Sequence, residues 1–158
     1  MIFKDDNRQI EIEEHLLNGM RKYCQNDKRA KEAGGILIGR EVIDTNNLII
    51  THMTEPMAHD QRRRNRFYRY DIAHVNFFQN LHTTSGGIFG YFGEWHTHPE
   101  KLPVYSSFDL SEWHKILKSI GNDSLLYCLI LGTAAWRMWK VIGIKAKPVL
   151  LCERYWDN

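Results

Sequence analysis

Cysteine is scarce in this chain. Cys24, Cys128 and Cys152 are the only three in 158 residues, with no CxxC spacing and no even count, which excludes a disulfide framework and fits a reducing compartment. Proline is as thin, four residues at positions 56, 99, 103 and 148, and no repeat or Gly/Ser linker divides the sequence, so one domain over residues 1–158 is expected. An excess of one charge is also missing. Lys plus Arg total 21 against 19 Asp plus Glu, and a net charge of +2 gives no general electrostatic attraction to nucleic acid or membrane, leaving only a local patch to serve either. No apolar run approaches the roughly 18 residues of a membrane span, and the opening MIFKDDNRQIEIEE reaches charge after three positions, too soon for the hydrophobic centre of a signal peptide. A cytoplasmic protein with no membrane partner is expected.

What remains is a globular composition, 43% apolar, 25% charged and 12% aromatic, enough to build a core without a staple. After a short extended opening, Leu16, Leu17, Met20, Tyr23 and Cys24 recur at helical spacing over 13–25. GGILIGR at 34–40 and LIITHM at 48–53 predict adjacent antiparallel strands around the turn-forming Asp44-Thr45-Asn46-Asn47. Asp71 is placed to cap a helix to about His82, closed by Ser85-Gly86-Gly87. Residues 88–98 predict a strand, 106–120 a helix ended by Gly121, and 125–131, 135–144 and 149–155 three more strands. This order predicts an α/β (α+β) sandwich, a mixed and mostly antiparallel sheet flanked by helices.

The chemistry concentrates in Glu94-Trp95-His96-Thr97-His98-Pro99 and Ser106-Ser107-Phe108-Asp109. Residues two apart on a strand share a face, so His96 and His98 present both imidazoles together while Trp95 and Thr97 turn away. Pro99 helps end the strand and Pro103 supports a loop that returns the chain. Ser106 is then a natural N-cap, and Asp109 falls in the first helical turn, able to face the two histidines. Two His and one Asp are three protein ligands, the number a catalytic zinc site uses while keeping one position open. Hydrolysis there also needs a base that is not a ligand and a donor for the oxygen that gains charge; Glu32 and Ser106 are the candidates. Singly, HxH reads as two strand histidines and SxxD as an ordinary cap. Their coincidence in order and register changes that weighting.

These residues resemble the JAMM (JAB or MPN-type) zinc metalloproteases, whose pattern is a Glu before a Gly-rich strand and then HxHPx(6)SxxD. Here Glu32-Ala33-Gly34-Gly35-Ile36-Leu37-Ile38-Gly39, His96-Thr97-His98-Pro99, six residues from Glu100 to Tyr105, and Ser106-Ser107-Phe108-Asp109 fill every position. The resemblance implies one zinc ion per chain held by His96, His98 and Asp109, Glu32 as general base then acid, and Ser106 stabilising the charge that develops during attack. Spacing alone does not pick Glu32 from 19 acids; that assignment comes from the resemblance.

GEWHTHP in a small chain with an Arg-rich stretch ahead of it looks most like the bacterial proteases of CBASS anti-phage operons. That resemblance implies cleavage of a conjugate between a cyclic-nucleotide-synthesising nucleotidyltransferase and its target, with a ubiquitin-transfer-like conjugating enzyme as operon partner. The same core also serves deubiquitinases with a ubiquitin-like modifier as substrate, and peptidases that process sulfur carriers. Glu94 shares the histidine face where many relatives carry an apolar residue. It reads as a carboxylate orienting a neighbouring His or Arg, as a competing base or ligand, or as a solvated group. Arg62-Arg63-Arg64-Asn65-Arg66-Phe67-Tyr68-Arg69-Tyr70 reads as a solvated loop or as one wall of a groove in which Arg63, Arg64 and Arg66, together with Glu94, meet an extended C-terminal tail; nucleic acid is the weaker use of the same charges. Two rivals stand beside the hydrolase, a non-haem iron enzyme using the same two-His-one-carboxylate set and a non-catalytic interaction module. The other histidines (His15, His52, His59, His74, His82 and His114) show no ligand spacing.

Overall fold

The computed structural model describes residues 1–157. Its elements in chain order are β1 (Ile2–Asp5), β2 (Arg8–Ile12), α1 (Glu14–Arg21), β3 (Gly34–Glu41), β4 (Leu48–Met53), β5 (Gln61–Arg63), β6 (Arg66–Tyr68), α2 (Ala73–Thr84), β7 (Gly90–Thr97), α3 (Ser107–Ile120), β8 (Leu125–Leu131), β9 (Ala135–Ile142) and β10 (Val149–Tyr155). Eight strands form one sheet in the order β1-β2-β4-β3-β7-β8-β9-β10, and β5 with β6 makes a separate hairpin. Within the large sheet β2 pairs parallel to β4 and β7 parallel to β8, while the other neighbours are antiparallel. This is the mixed, mostly antiparallel sheet expected. The sheet curls until its edge strands β1 and β10 pack together. No helix among the described residues is long and apolar enough to cross a membrane.

Both faces of the sheet are covered, which explains the uninterrupted apolar run of β8. Tyr127, Leu129 and Leu131 point into a cluster with Leu37, Trp95, Met138 and, from α1, Leu16, Leu17 and Met20. Leu126, Cys128 and Ile130 point the other way, against Trp113 and Leu117 of α3 and Trp139 and Val141 of β9. Each fully buried side chain of this size contributes about 1.5–3 kcal/mol. The α3 docking therefore fixes the helix whose first turn carries Asp109.

Several boundaries depart from expectation for local reasons. The first helix stops at Arg21, because the Tyr23 and Cys24 amides donate to the carbonyls of Met20 and Arg21, three residues back, tightening the last turn. α2 opens at Ala73 with Ile72 in the N-cap position and no side-chain cap there; Asp71, one residue earlier than that, accepts from the Ala73 amide through Oδ1 at 2.9 Å. β9 ends at Ile142, where Gly143 turns with φ 63°.

Gly93 sits at the crowded middle of the sheet. It is paired to Leu37 on one side and Tyr127 on the other, with φ 155°, and a Cβ there would lie 1.9 Å from the Tyr127 carbonyl oxygen. Gly93→Ala is expected to cost about 3 kcal/mol in chemical denaturation, the upper range for overpacking. A loss under about 0.5 kcal/mol would mean that β7 and β8 slide apart freely, loosening the strand that carries His96.

Candidate metal centre

The site forms where β3, β7 and α3 meet. Antiparallel pairing sets Gly34 opposite His96. Just beyond it the Thr97 amide donates to Ala33 O at 2.8 Å, and the Ala33 amide donates to Thr97 Oγ1 at 3.0 Å. Glu32, one residue earlier, is thereby delivered beside the end of β7. The loop from Pro99 returns the chain so that α3 opens at Ser106, its N-cap. Ser106 N and Oγ donate to Asp109 Oδ2 at 2.6 and 2.7 Å, and the Asp109 amide donates back to Ser106 Oγ at 3.2 Å. This capping box fixes the carboxylate rotamer.

The three side chains named from spacing come together. His96 Nε2 and His98 Nε2 lie 3.0 Å apart, His96 Nε2 is 3.4 Å from Asp109 Oδ1, and His98 Nε2 is 3.5 Å from Asp109 Oδ2. Tetrahedral zinc with bonds of about 2.0–2.1 Å sets its donor atoms roughly 3.3–3.4 Å from one another. The observed separations, taken to a different Asp109 oxygen for each histidine and slightly short between the two imidazoles, are close to what one ion requires, and His96, His98 and Asp109 form the group able to hold it among the described residues. Glu32 Oε1 stands farther off, 3.9 Å from His98 Nε2, adjacent to the donor set and outside it.

The electrostatics also suit a cation. Glu32 and Asp109 are both buried, and among the described residues no Lys or Arg reaches either within 4.0 Å. Burial pushes the Glu32 carboxyl up to about 7, against the opposing charge of His98. Burial acts upward on Asp109 too, but the His96 and His98 rings and the Ser106 amide hold it well below the usual carboxylate range. At His98, burial is outweighed by Asp109, Glu32 and Glu100, so its imidazole is raised. Two buried carboxylates and two imidazoles whose ring nitrogens converge describe a centre short of positive charge.

A cavity of about 120 Å³ opens on the cluster, walled by Phe67, Tyr68, Phe108 and the Arg69–Glu94 pair. Glu94 lies on the histidine face of β7 as expected, and its Oε1 accepts from Arg69 Nε at 2.8 Å and Tyr91 OH at 3.4 Å. It orients an arginine. The Arg-rich stretch is a hairpin rather than a loop, with alternate side chains turned inward. Arg64 Nη1 donates to the carbonyls of Asp27 and Ala30, Arg66 lies 3.9 Å over the Phe108 ring, and Arg63 is exposed. Sequence reasoning did not single out Arg62 and Arg69 by themselves; their partners are distant in sequence and left no local signal.

Residues 13–142 match the family described as prokaryotic homologs of the JAB domain. The chain belongs to that family. Three relatives, each named a CD-NTase/cGAS isopeptidase, accompany the match. The Escherichia coli protein is 35% identical over 93% of this chain and 89% of its own. The Pseudomonas aeruginosa protein is 36% identical over 83% and 82%, and the Vibrio cholerae protein 31% over 84% and 82%. The solution structure of a Desulfitobacterium hafniense protein superposes with a TM-score of 0.61 over 89% of this chain and 88% of that one, at 18% identity, which supports the fold alone. The JAB fold thus accounts for the order of elements that bring Glu32, the two histidines and Asp109 together.

Because Ser106 Oγ both receives the Asp109 amide and donates to its carboxylate, Ser106→Ala is expected to lower stability by about 1 kcal/mol through the lost cap. It is also expected to lower metal affinity about tenfold through a freed Asp109 rotamer. Competition against a chelating dye measures the second effect; unchanged affinity would mean that packing alone orients Asp109.

Proposed function

We propose that this chain is a zinc-dependent isopeptidase which hydrolyses the amide joining the C-terminus of a cyclic-nucleotide-synthesising nucleotidyltransferase, or of a ubiquitin-like modifier, to an amine on its target. In this reading residues 1–158 act as one cytoplasmic domain in CBASS anti-phage regulation, reversing the work of a ubiquitin-transfer-like conjugating enzyme. The observation that carries it is Glu32, buried with a raised pKa and set 3.9 Å from His98, beside a three-atom donor set that it does not join. A base in that place is what hydrolysis asks for, and an iron enzyme or an inert module has no use for it. The names of the three relatives support the substrate class.

His96, His98 and Asp109 would hold the ion. Bound there, zinc supplies Lewis acidity that polarises the scissile carbonyl and draws the pKa of a water toward about 7. Glu32 accepts a proton of the attacking water at a carboxylate oxygen as the new C–O bond forms and the C=O pair moves onto oxygen, then returns that proton to the leaving nitrogen as the C=O re-forms and the C–N bond breaks, so no net proton is consumed. Ser106 steadies Asp109, and its hydroxyl, once turned from that carboxylate, can donate to the carbonyl oxygen as charge builds on it. Of the residues expected to meet the tail, Arg63 has the exposed guanidinium to pair an acidic group of substrate, while Arg64, Arg66 and Glu94 engage partners within the chain.

The test is cleavage of a purified nucleotidyltransferase–lysine conjugate and of a ubiquitin-like fusion, each with and without chelator. Release of the free C-terminus that stops on chelation and returns with one equivalent of zinc is expected. Cleavage indifferent to chelator would contradict the proposal.

A further inference from the structure

Glu32 lies outside any regular element. β3 begins two residues later at Gly34 and α1 ends at Arg21, so the strand pairing that places Ala33 and Gly34 beside β7 stops just short of the Glu32 backbone. Its main chain is instead bonded to the β5–β6 hairpin. The Glu32 amide donates to Arg63 O at 2.8 Å, while Arg62 Nε donates to Glu32 O at 2.8 Å and Arg62 Nη2 to Lys31 O at 3.2 Å. The guanidinium is itself braced: it lies 5.5 Å from the centre of the Tyr23 ring. Tyr23 rests 5.9 Å from Trp95 and donates its hydroxyl to Glu55. Trp95 is the core neighbour of His96. A second tie runs through Gln25, whose Nε2 donates to Ala30 O at 3.0 Å and Arg64 O at 2.7 Å. The far side of the hairpin rests on Phe108, next to Asp109, through Arg66 and Tyr68.

We infer that Arg62 is a positioning residue that fixes the backbone of Glu32, making the β5–β6 hairpin a strut between the base and the histidine strand. The inference rests on the reading of Glu32 as the base given above. Charge-assisted, two-pronged bonds from a planar guanidinium specify direction as well as distance. They are made here to two consecutive carbonyls, so they restrain the torsions that aim the Glu32 side chain. A carboxylate that must meet a water held beside His96 and His98 tolerates little drift, since displacement by about 1 Å can cost about 100-fold in rate.

The experiment compares the zinc-loaded full chain with its Arg62→Ala and Arg62→Lys variants in three measurements: zinc content, steady-state cleavage of a nucleotidyltransferase-tail isopeptide, and amide hydrogen exchange. In Arg62→Ala, zinc content and KM are expected to hold within about twofold while kcat falls roughly 10- to 100-fold. Exchange at the Glu32 amide is expected to quicken about tenfold or more, with the β7 and β8 amides unchanged. Arg62→Lys, which retains one prong, is expected to recover part of kcat and part of the protection. A rise in KM with kcat intact would overturn the inference in favour of substrate binding by Arg62, and faster exchange across all strands would reduce Arg62 to a general stabiliser. If the unaltered protein cleaves no conjugate, the isopeptidase reading falls separately. The exchange measurement then decides alone, unchanged protection at Glu32 overturning the strut and selective loss sustaining it.

Discussion

Glu32→Gln is expected to keep its zinc and lose at least about a thousandfold in kcat, within the range a positioned general base supplies. The substitution preserves shape and burial but cannot accept a proton. Because Glu32 Oε1 lies 3.9 Å from His98 and apart from the converging donor atoms, the three ligands remain and the ion stays bound, with its affinity lowered only by the loss of a neighbouring charge. The same reasoning sets the pH dependence. Without an ion, burial holds this carboxyl near 7; a divalent charge alongside favours the ionised form and lowers it. A base works only when deprotonated, so the zinc-loaded enzyme should gain activity as pH rises through an acid limb lying below about 7. That limb should disappear from the residual activity of Glu32→Gln. Retention of more than a tenth of the turnover would assign the base elsewhere.

His96→Ala and Asp109→Ala are expected to abolish both metal and activity. Two ligands remain in each, too few for a site that has only three, and the loss shows in stability as well. An ion present at 100 to 1,000 times its Kd stabilises the folded chain by about 3–4 kcal/mol, so chelation should lower the Tm of the unaltered protein and leave the variants unmoved. Asp109→Ala carries a further cost of about 1 kcal/mol, because the capping box at Ser106 loses its acceptor. Calorimetry with and without chelator separates the two contributions. A chelator-dependent Tm that survives in both variants would place the ion at some other group of residues.

The parts of this centre visible in the sequence were those written in local periods. Two histidines at strand spacing and a Ser three residues ahead of an Asp describe a shared face and a capped helix, and the structure has both. Glu32 was legible only through the family resemblance, since it sits on irregular chain and reaches the site through the pairing of Gly34 with His96, a contact across more than sixty positions. The opening hairpin of β1 and β2 read only as extended chain because its inward pattern includes a buried Asp. Asp5 is tolerated there by the Tyr127 hydroxyl at 2.7 Å and the Lys140 ammonium, partners far along the sequence. The Arg-rich hairpin was hidden for the same reason. Its inward arginines serve backbone carbonyls and an aromatic ring, and charge in a sequence does not announce such acceptors. Element ends were off by a few residues where a tight turn closed α1 and a glycine closed β9, whereas α3 ends at Gly121 as expected.

The central claim is that His96, His98 and Asp109 converge on one divalent ion that leaves a coordination position free. Anomalous diffraction from crystals of the purified chain, recorded on either side of the zinc and iron absorption edges, tests it most directly. The account predicts one peak per chain, bounded by His96 Nε2, His98 Nε2 and an Asp109 oxygen, present above the zinc edge and lost below it, with no fourth protein atom bound. A peak that follows the iron edge, a peak elsewhere, or a fourth side chain closing the site would contradict it.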